Sequence, residues 1–574
     1  MKIANALLVA WLLPLLTVSC TSTQTGVRPA ADAVYVNAKV YTMDPEQSWA
    51  QALAIKDGKL TAVGTDAKLA ALVGNETEVV DLQGKFVMPG IQDAHVHTQM
   101  IAEFTRQLSM DPHQSWSALS KAIRDYAAAH PDRRWVFGGN LPWLTTVVGE
   151  FENVPAHKSV LDELVPDRPA AFWDIGGHAL LTNSLALKLA GIDRNTPNPV
   201  GGTIERDANG EATGVLRELA VNLVTEAMDQ LSVDAYAQGI KTATEKLNGL
   251  GITSMNEVWV YPQTLRAIKQ LDDNGDLTVR ATASIAHPVE HVSQAFKQAA
   301  SDLIDARETY RSRRVKPDYV KFVLDGSAGG QTLAMNDPYL GTEFRGELRN
   351  PEDVVMREVS RLHAKGIGSV LHAVGDRAVR VALNAVEQAI ATHGDNGVRH
   401  VIGHTVFVNP EDLDRFAELG VIAEFSPYFW WPSDGLDILR DELGEQRTNW
   451  GFPVRELLER GVHLSAGSDW PVVFDPNPFP AIEALVTRET PGGSADSYGK
   501  DHAISLAQAL HIYTLGSAYE LHQEDQTGSL EPGKYADFIV LDRNLFDVPI
   551  REVHATKVLT TVLEGEMVFQ QEAQ

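Results

Sequence analysis

Eight short apolar segments, separated by stretches with helical periodicity, constrain the fold of this chain more than any other feature. In the helical stretches apolar residues recur three or four positions apart, as in Tyr236, Ile240, Ala243 and Leu247. Strands that alternate with helices form parallel sheets, and eight such units close into a barrel. We therefore predict a TIM-type (β/α)8 barrel of the α/β class, with strands near 87–95, 251–257, 279–285, 319–325, 368–372, 400–404, 421–425 and 462–468.

Two further regions do not fit the barrel repeat. The connection from about residue 100 to 235 is too long for a loop between a strand and its helix, so we predict a long insertion after strand 1. Residues 33–89 and 525–574 instead show short alternating strands joined by turns such as Asp57-Gly58. These two ends are predicted to form one small β-sandwich domain, with the barrel at 90–524.

The first residues of the chain have the pattern of an export signal. Lys2 is followed by an apolar run too short to span a bilayer comfortably, and then by small residues up to Cys20. Cys20 stands where a bacterial lipoprotein signal carries the cysteine that receives lipid. We predict a signal peptide at 1–19, a tether at 20–32 and an exported, periplasmic or membrane-anchored lipoprotein. The alternative is an ordinary signal peptide in which Cys20 has no role.

Charge and cysteine content exclude several functions. The chain has 49 Lys+Arg against 76 Asp+Glu, a formal net charge of −27, which argues against nucleic acid as a partner. With Cys20 as the only cysteine, neither an internal disulfide framework nor a cysteine-rich metal site can form. Any metal site must therefore use His, Asp, Glu or a modified Lys.

Candidate metal ligands follow the predicted strands. Reactive groups of such barrels stand at the carboxyl ends of the strands, and His95 and His97 are spaced to point to the same side of strand 1. Lys321 lies inside an apolar strand, where an ammonium needs a partner, a lowered pKa or covalent modification. Taken alone, each candidate has a simpler structural explanation. Together they fall in order on strands 1, 4, 5, 6 and 8 and predict one metal site, which His372, His404 and Asp469 complete.

With these residues the chain resembles the amidohydrolase superfamily, and within it the YtcJ-like branch that includes N-substituted formamide deformylases. The likeness extends from about residue 33 to 570. Beyond the metal residues it rests on stretches including Gly177-His178-Ala-Leu-Leu-Thr-Asn183-Ser184, Asp325-Gly326-Ser327, His372-Ala-Val-Gly-Asp376 and Gly467-Ser468-Asp469-Trp470-Pro471.

The resemblance implies a specific ligand set. His95 and His97 would bind one divalent ion, His372 and His404 a second, and Lys321 would bridge the two as a carbamate. Carbamylation turns the buried cation into an anionic ligand, which removes the cost of burying an ammonium. Zinc is the first expectation for both ions, with iron or manganese also open.

The resemblance also assigns catalytic residues. Asp469 would bind the first ion and transfer the proton, and His178 would face the substrate from the insertion. One residue departs from the family, because Gly403 stands where relatives commonly carry an acid before the strand-six histidine. Since that acid is not an expected ligand, the departure concerns packing or substrate contacts.

The predicted reaction is hydrolysis of the C–N bond of a small, hydrophobic N-substituted amide or formamide, by hydroxide from a metal-bound water. The same centre acting on a cyclic amide, carbamate or ester (lactone) is the alternative, followed by a non-catalytic ligand-binding lipoprotein. Aromatic residues of the insertion, with Phe429, Trp430 and Trp431, either line a substrate pocket or pack the insertion onto the barrel. A membrane contact only through lipid at Cys20 is expected, and a homodimer is compatible with this interpretation.

Overall fold

The computed structural model describes residues 30–111, 114–141, 154–174, 179–199, 202–229, 231–288, 294–327 and 331–572. The predicted signal peptide, the lipid site at Cys20, most of the tether and the predicted catalytic residue His178 lie outside these ranges. No helix within the described ranges is long and apolar enough to cross a membrane.

Eight parallel strands, hydrogen-bonded in chain order, form the central sheet. Its ends meet where Val96, the last residue of strand 1, bridges to Trp470 after strand 8, and where the Asp469 amide donates to the carbonyl of His95 at 2.7 Å. The predicted (β/α)8 barrel is thereby confirmed. In order, the barrel strands 1 to 8 are Ile91–Val96, Ile252–Val260, Arg280–Ala286, Val315–Val323, Gly368–His372, Val401–Gly403, Ile422–Phe425 and Leu464–Ala466.

One predicted strand is in fact two. The apolar segment 87–95 divides at Gly90, so that Phe86–Pro89 joins the terminal sandwich and only Ile91–Val96 enters the barrel. Pro89 has no amide hydrogen to donate to a sheet ladder, which explains why strand pairing changes at this point.

Amphipathic helices cover the barrel because their apolar faces pack on the apolar outer faces of the strands. The longest, Val233–Gly249 and Asp376–His393, bury alanine, valine, isoleucine and leucine side chains. The remaining helices of the barrel and its C-terminal extension are Pro262–Asp273, Gln294–Ala306, Glu352–Ala364, Leu413–Glu418, Asp434–Leu443, Glu445–Asn449, Val454–Glu459, Pro478–Thr487, Leu506–His511 and Ser517–Glu520.

The insertion after strand 1 forms a layer with its own core. Its six-stranded sheet has the order Gly202–Arg206, Ala212–Glu218, Ala179–Thr182, Ala170–Asp174, Val136–Leu141 and Leu108–Ser109. Residues such as Leu119, Ile123 and Phe172 are fully buried within it. Its helices are Gln99–Phe104, Trp116–Ala129, Lys158–Leu164, Ser184–Leu189 and Asn222–Thr225.

Both ends of the chain contribute to a sandwich of two sheets. Phe86–Pro89 from the N-terminal part pairs antiparallel with Phe538–Leu541 from the C-terminal part. The two sheets share a core in which Tyr35 packs edge-on against Phe538. One sheet consists of Lys59–Gly64, Ala52–Lys56, Ala33–Val36 and Glu78–Asp81, and the other of Glu566–Gln570, Val558–Leu563, Phe538–Leu541, Phe86–Pro89, Lys39–Tyr41 and Trp49–Ala50.

Candidate metal centre

The carboxyl end of the barrel brings the six predicted metal residues into one cluster. Potential ligand atoms of His95, His97 and Asp469 all lie within 4.8 Å of one another. The Asp469 carboxylate is 3.1 Å from Nε2 of His97 and 3.7 Å from Nε2 of His95. Lys321 on strand 4 reaches the same point, with its Nζ 3.1 Å from Nε2 of His95.

The other two histidines extend this cluster to strands 5 and 6. The His404 ring centroid is 4.7 Å from that of His95 and 4.6 Å from that of His372. Residues on strands 1, 4, 5 and 6 and the residue after strand 8 therefore converge, as the barrel topology predicts.

Burial favours the neutral form of three histidines of this cluster, His95, His372 and His404. It lowers the pKa of His372 to about 3. The pKa values of His95 and His404 are held well below the usual histidine range, again chiefly by burial. Neutral imidazole is the form that binds metal ions, so these side chains are ready to act as ligands at neutral pH.

Burial also acts on the charged groups of the cluster. It lowers the pKa of Lys321 and raises that of Glu424, and the opposite charge of each group partly offsets the shift in the other. Burial would raise the pKa of Asp469 as well, but a hydrogen bond from His97 and nearby positive charge outweigh it, and the net pKa is lowered. Asp469 is therefore a carboxylate at neutral pH, while Lys321 has no ion pair with any carboxylate in the described part of the chain.

Three of the histidines have one ring nitrogen engaged away from the cluster. Nδ1 of His95 is 2.6 Å from Oε2 of Glu424, and Nε2 of His372 is 3.0 Å from the carbonyl of Gly326. Nδ1 of His404 is 3.4 Å from Oγ of Ser426. Such outer partners orient imidazole ligands and leave the second nitrogen for a metal ion.

Sequence reasoning missed several acids that support the cluster. Asp93 accepts hydrogen bonds from the amides of His95 and Ser468 and from the Ser468 hydroxyl, which ties strand 1 to the loop after strand 8. Asp325 accepts from the amides of Val374 and Gly375 after strand 5. The signal for Asp93 was a polar residue in an otherwise apolar strand, the same signal that pointed to Lys321.

The backbone is strained at two of the clustered residues. His404 has φ of 70° and Asp469 has φ of 60°. These values lie in the left-handed region, which residues other than glycine seldom adopt. Such conformations cost free energy and persist where the surrounding structure enforces them, often at functional sites.

A cavity of about 720 Å³ adjoins the cluster at the ends of strands 2 to 4, between the barrel and the insertion. Ala286, His287 and Val323 line it. Val323 lies two residues after Lys321 on strand 4, and the His287 amide donates to the carbonyl of Lys321 at 2.8 Å, so the cavity lies next to the strand that carries Lys321. Glu103 lines it too, and accepts from Tyr236 at 3.3 Å. Its aromatic lining consists of Trp135, Phe137, Trp173, Tyr236, Trp259 and Tyr261.

The aromatic residues of the insertion and those after strand 7 lie in different surroundings. Trp135 and Trp173 of the insertion line the cavity, whereas Phe172 is buried in the insertion core. Trp430 after strand 7 is fully buried against Phe452 and does not line this cavity. The insertion, together with Tyr236, Trp259 and Tyr261 of the barrel, therefore supplies the aromatic wall, and Trp430 after strand 7 does not.

The donor set of this site fits a divalent metal ion. Neutral imidazoles and a carboxylate converge within coordinating reach of one point, and three of the histidines are oriented by outer partners. His and carboxylate donors together suit zinc, iron and manganese.

Comparison with known proteins gives consistent matches. The model of a family described as the amidohydrolase family matches residues 78–569. The protein YtcJ of Bacillus subtilis (strain 168) is 28% identical over 549 residues, 94% of this chain and 99% of that protein. The N-substituted formamide deformylase of Arthrobacter pascens is 28% identical over 551 residues, 94% of this chain and 98% of that protein. An uncharacterized metal-dependent hydrolase from Pyrococcus furiosus superposes with a TM-score of 0.70 at 26% identity, covering 89% of this chain and 99% of that chain.

Proposed function

The chain belongs to the amidohydrolase family, and from that premise we propose that it hydrolyses the C–N bond of a small amide with a hydrophobic N-substituent, such as an N-substituted formamide. The observation that carries the proposal is the convergence of His95, His97 and Asp469 within 4.8 Å beside an aromatic cavity. The formamide deformylase similar to this chain over nearly its full length supports the substrate class.

The residues of the cluster are proposed to hold two divalent ions. His95, His97 and Asp469 would hold one ion, and His372 and His404 the second. Lys321 would bridge them as a carbamate, which resolves its burial without an acidic partner. When bound, such ions lower the pKa of water and polarise a carbonyl oxygen.

Asp469 is the proposed proton carrier. It is ionised at neutral pH, and His97 orients its carboxylate through the 3.1 Å contact. It would take a proton from the attacking water as the new C–O bond forms, and give it to the nitrogen as the C–N bond breaks. The products are a carboxylic acid, which loses its proton at neutral pH, and an amine, which takes one up. His178 is proposed to donate a hydrogen bond to the carbonyl oxygen of the substrate.

The cavity supplies the proposed specificity. Val323 of the strand that carries Lys321 lines this cavity, and we propose that a substrate with its carbonyl at the cluster places its N-substituent toward Trp173 and Trp259. Burying apolar surface there contributes about 0.8 kcal/mol per methylene group. We therefore expect preference to rise from N-methyl to N-benzyl substituents.

A substrate panel tests this function. Zinc-loaded protein would be assayed against N-methylformamide, N-benzylformamide, N-acyl amino acids, a hydantoin, a carbamate and a lactone, with amine release or ring opening as the measurement. The expected result is the highest kcat/KM for N-benzylformamide. Hydrolysis of the lactone or the hydantoin alone would mean that the protein cleaves an ester or a cyclic amide instead. Metal-loaded protein that turns over none of them would contradict the proposal.

A further inference from the structure

Glu424 is a buried acid at the metal cluster to which neither the sequence patterns nor the proposed chemistry assigns a role. It lies on strand 7, Ile422–Phe425, and its side chain is 0% exposed. Its Oε2 is 2.6 Å from Nδ1 of His95 and accepts from the amide of His404 at 3.4 Å. One carboxylate oxygen thus contacts two of the residues predicted to bind metal.

The neighbouring strand makes room for this carboxylate. A Cβ at Gly403 on strand 6 would lie 3.1 Å from Oε2 of Glu424, 3.6 Å from Nζ of Lys321 and 3.7 Å from Cε1 of His95. The backbone of Gly403 is outside the left-handed region, so a side chain here would meet a tight contact with the Glu424 carboxylate and not a strained backbone. Gly403 and Glu424 therefore share one small volume against His95.

The hydrogen bond from His95 to Glu424 fixes which imidazole nitrogen is free. Nε2 of His95 lies 3.1 Å from Nζ of Lys321 and 3.7 Å from Asp469, so it is the nitrogen that faces the cluster. A nitrogen that accepts from an ammonium or binds a metal ion carries no proton, so the ring proton is on Nδ1 and Glu424 accepts it. A carboxylate in this position also raises the basicity of the ligand nitrogen.

His95 differs from the other histidines in the kind of partner it has. His372 contacts a backbone carbonyl and His404 a serine hydroxyl, both neutral groups. The nearest carboxylate to the outer nitrogen of His372 is that of Asp325, at 3.8 Å, which is beyond hydrogen-bond distance. Among the described cluster histidines, only His95 has its outer nitrogen hydrogen-bonded to a carboxylate from another strand. The partner that should fix ligand orientation most strongly, a carboxylate, therefore acts on His95.

We propose that Glu424 is the positioning residue of His95, that it sets the metal affinity of the cluster, and that Gly403 is glycine because the required acid comes from strand 7. The proposal rests on the proposed metal-binding function. It further holds that an acid entering the same volume from position 403 can replace Glu424.

Zinc affinity, measured by competition with a chromogenic chelator, tests the proposal in four full-length variants. Glu424→Ser should weaken zinc binding by roughly 10- to 100-fold, the usual effect of losing such a partner. Glu424→Gln, which keeps an acceptor but not the charge, should fall between Glu424→Ser and the natural protein. The double variant Gly403→Asp/Glu424→Ser should recover most of the affinity. Glu520→Gln is the matched control, because Glu520 is equally buried in the barrel but contacts Asn256 and Ser465 and no histidine.

The outcomes separate this proposal from the one on which it rests. A natural protein that binds no zinc would overturn the metal-binding function itself. Tight zinc binding in a folded Glu424→Ser protein, or equal losses in Glu424→Ser and Glu520→Gln, would overturn the role of Glu424 alone. A folded double variant as weak as Glu424→Ser would overturn the exchange with position 403. If Glu424→Ser does not fold, Glu424→Gln decides the question, and unchanged affinity in it would overturn the proposal.

Discussion

Buried polar clusters lie at both ends of the barrel, and they differ in whether their charged side chains are paired. At the amino end, Arg280 at the start of strand 3 pairs with Asp537 and, at 2.8 Å, with Glu564 of the sandwich. Arg314, directly before strand 4, adds a 2.6 Å contact to Glu564. Two buried arginines thus meet two carboxylates, and charge is matched within the cluster.

At the carboxyl end of the barrel, the buried lysine is not paired with carboxylates in this way. Lys321, near the other end of strand 4, has no ion pair among the described residues, and its Nζ lies 3.1 Å from Nε2 of His95, a side chain that burial keeps neutral. Two residues there, His404 and Asp469, hold left-handed backbone conformations. The matched cluster stabilises the contact between barrel and sandwich. The unmatched one carries a free-energy cost that an added cation and a modified lysine would relieve.

The largest expected effect is a loss of activity caused by a substitution at the carboxyl end of the barrel. Asp469→Asn removes the proposed proton carrier, and kcat should fall by at least about 1,000-fold, or ~4 kcal/mol. The apparent melting temperature should change little, because the amide fills the same space. Steady-state kinetics of the zinc-loaded variant measure this, and a variant with full activity would contradict the role of Asp469.

The next effect should appear only in stability. Glu564→Gln leaves Arg280 with Asp537 and removes the carboxylate that pairs with Arg314, and breaking a buried pair costs about 3 kcal/mol. Urea unfolding should show this loss, while kcat per folded molecule stays near that of the natural protein. A large fall in kcat, with stability unchanged, would mean that the two ends are not separable as described.

The substrate cavity gives a smaller, selective effect. Trp173→Ala removes part of the aromatic wall and should raise KM for N-benzylformamide about tenfold, the loss expected for some 1.4 kcal/mol of apolar contact. KM for N-methylformamide should change little. Trp116→Ala is the control, since Trp116 lies in the insertion away from the cavity wall. Equal changes for both substrates would contradict a pocket for the N-substituent.

The barrel and the clustering of the candidate ligand residues could be predicted from the sequence because both follow from repeated local rules. Residues at the carboxyl ends of the parallel strands lie at the same end of the barrel. The positions of His95, Lys321 and Asp469 in the sequence are therefore enough to predict that they cluster. Glu424 and Asp93 could not be assigned, because their partners are set by strand register and by side-chain direction. The role of Gly403 was likewise hidden, since it depends on a side chain from the adjacent strand.

The smallest effect concerns pH and the amino end. His400, directly before strand 6, contacts His363 at 3.0 Å, and burial lowers its pKa from 6.5 to about 3. The unfolded chain takes up a proton below pH 6.5 and the folded chain does not, so His400 contributes stability above pH 6.5 that is lost on acidification. His400→Gln should therefore reduce the loss of unfolding free energy between pH 7 and 5.5 by about 1 kcal/mol. An identical pH dependence in urea unfolding of both proteins would refute this.

The central claim is that the unmatched end of the barrel binds metal and uses it for hydrolysis. Metal analysis of the purified protein, paired with hydrolysis of N-benzylformamide before chelation, after chelation and after zinc is restored, tests it most directly. The account predicts at least one divalent ion per chain, loss of hydrolysis on chelation and recovery in proportion to the zinc that rebinds. Full hydrolysis by protein stripped of metal would contradict it.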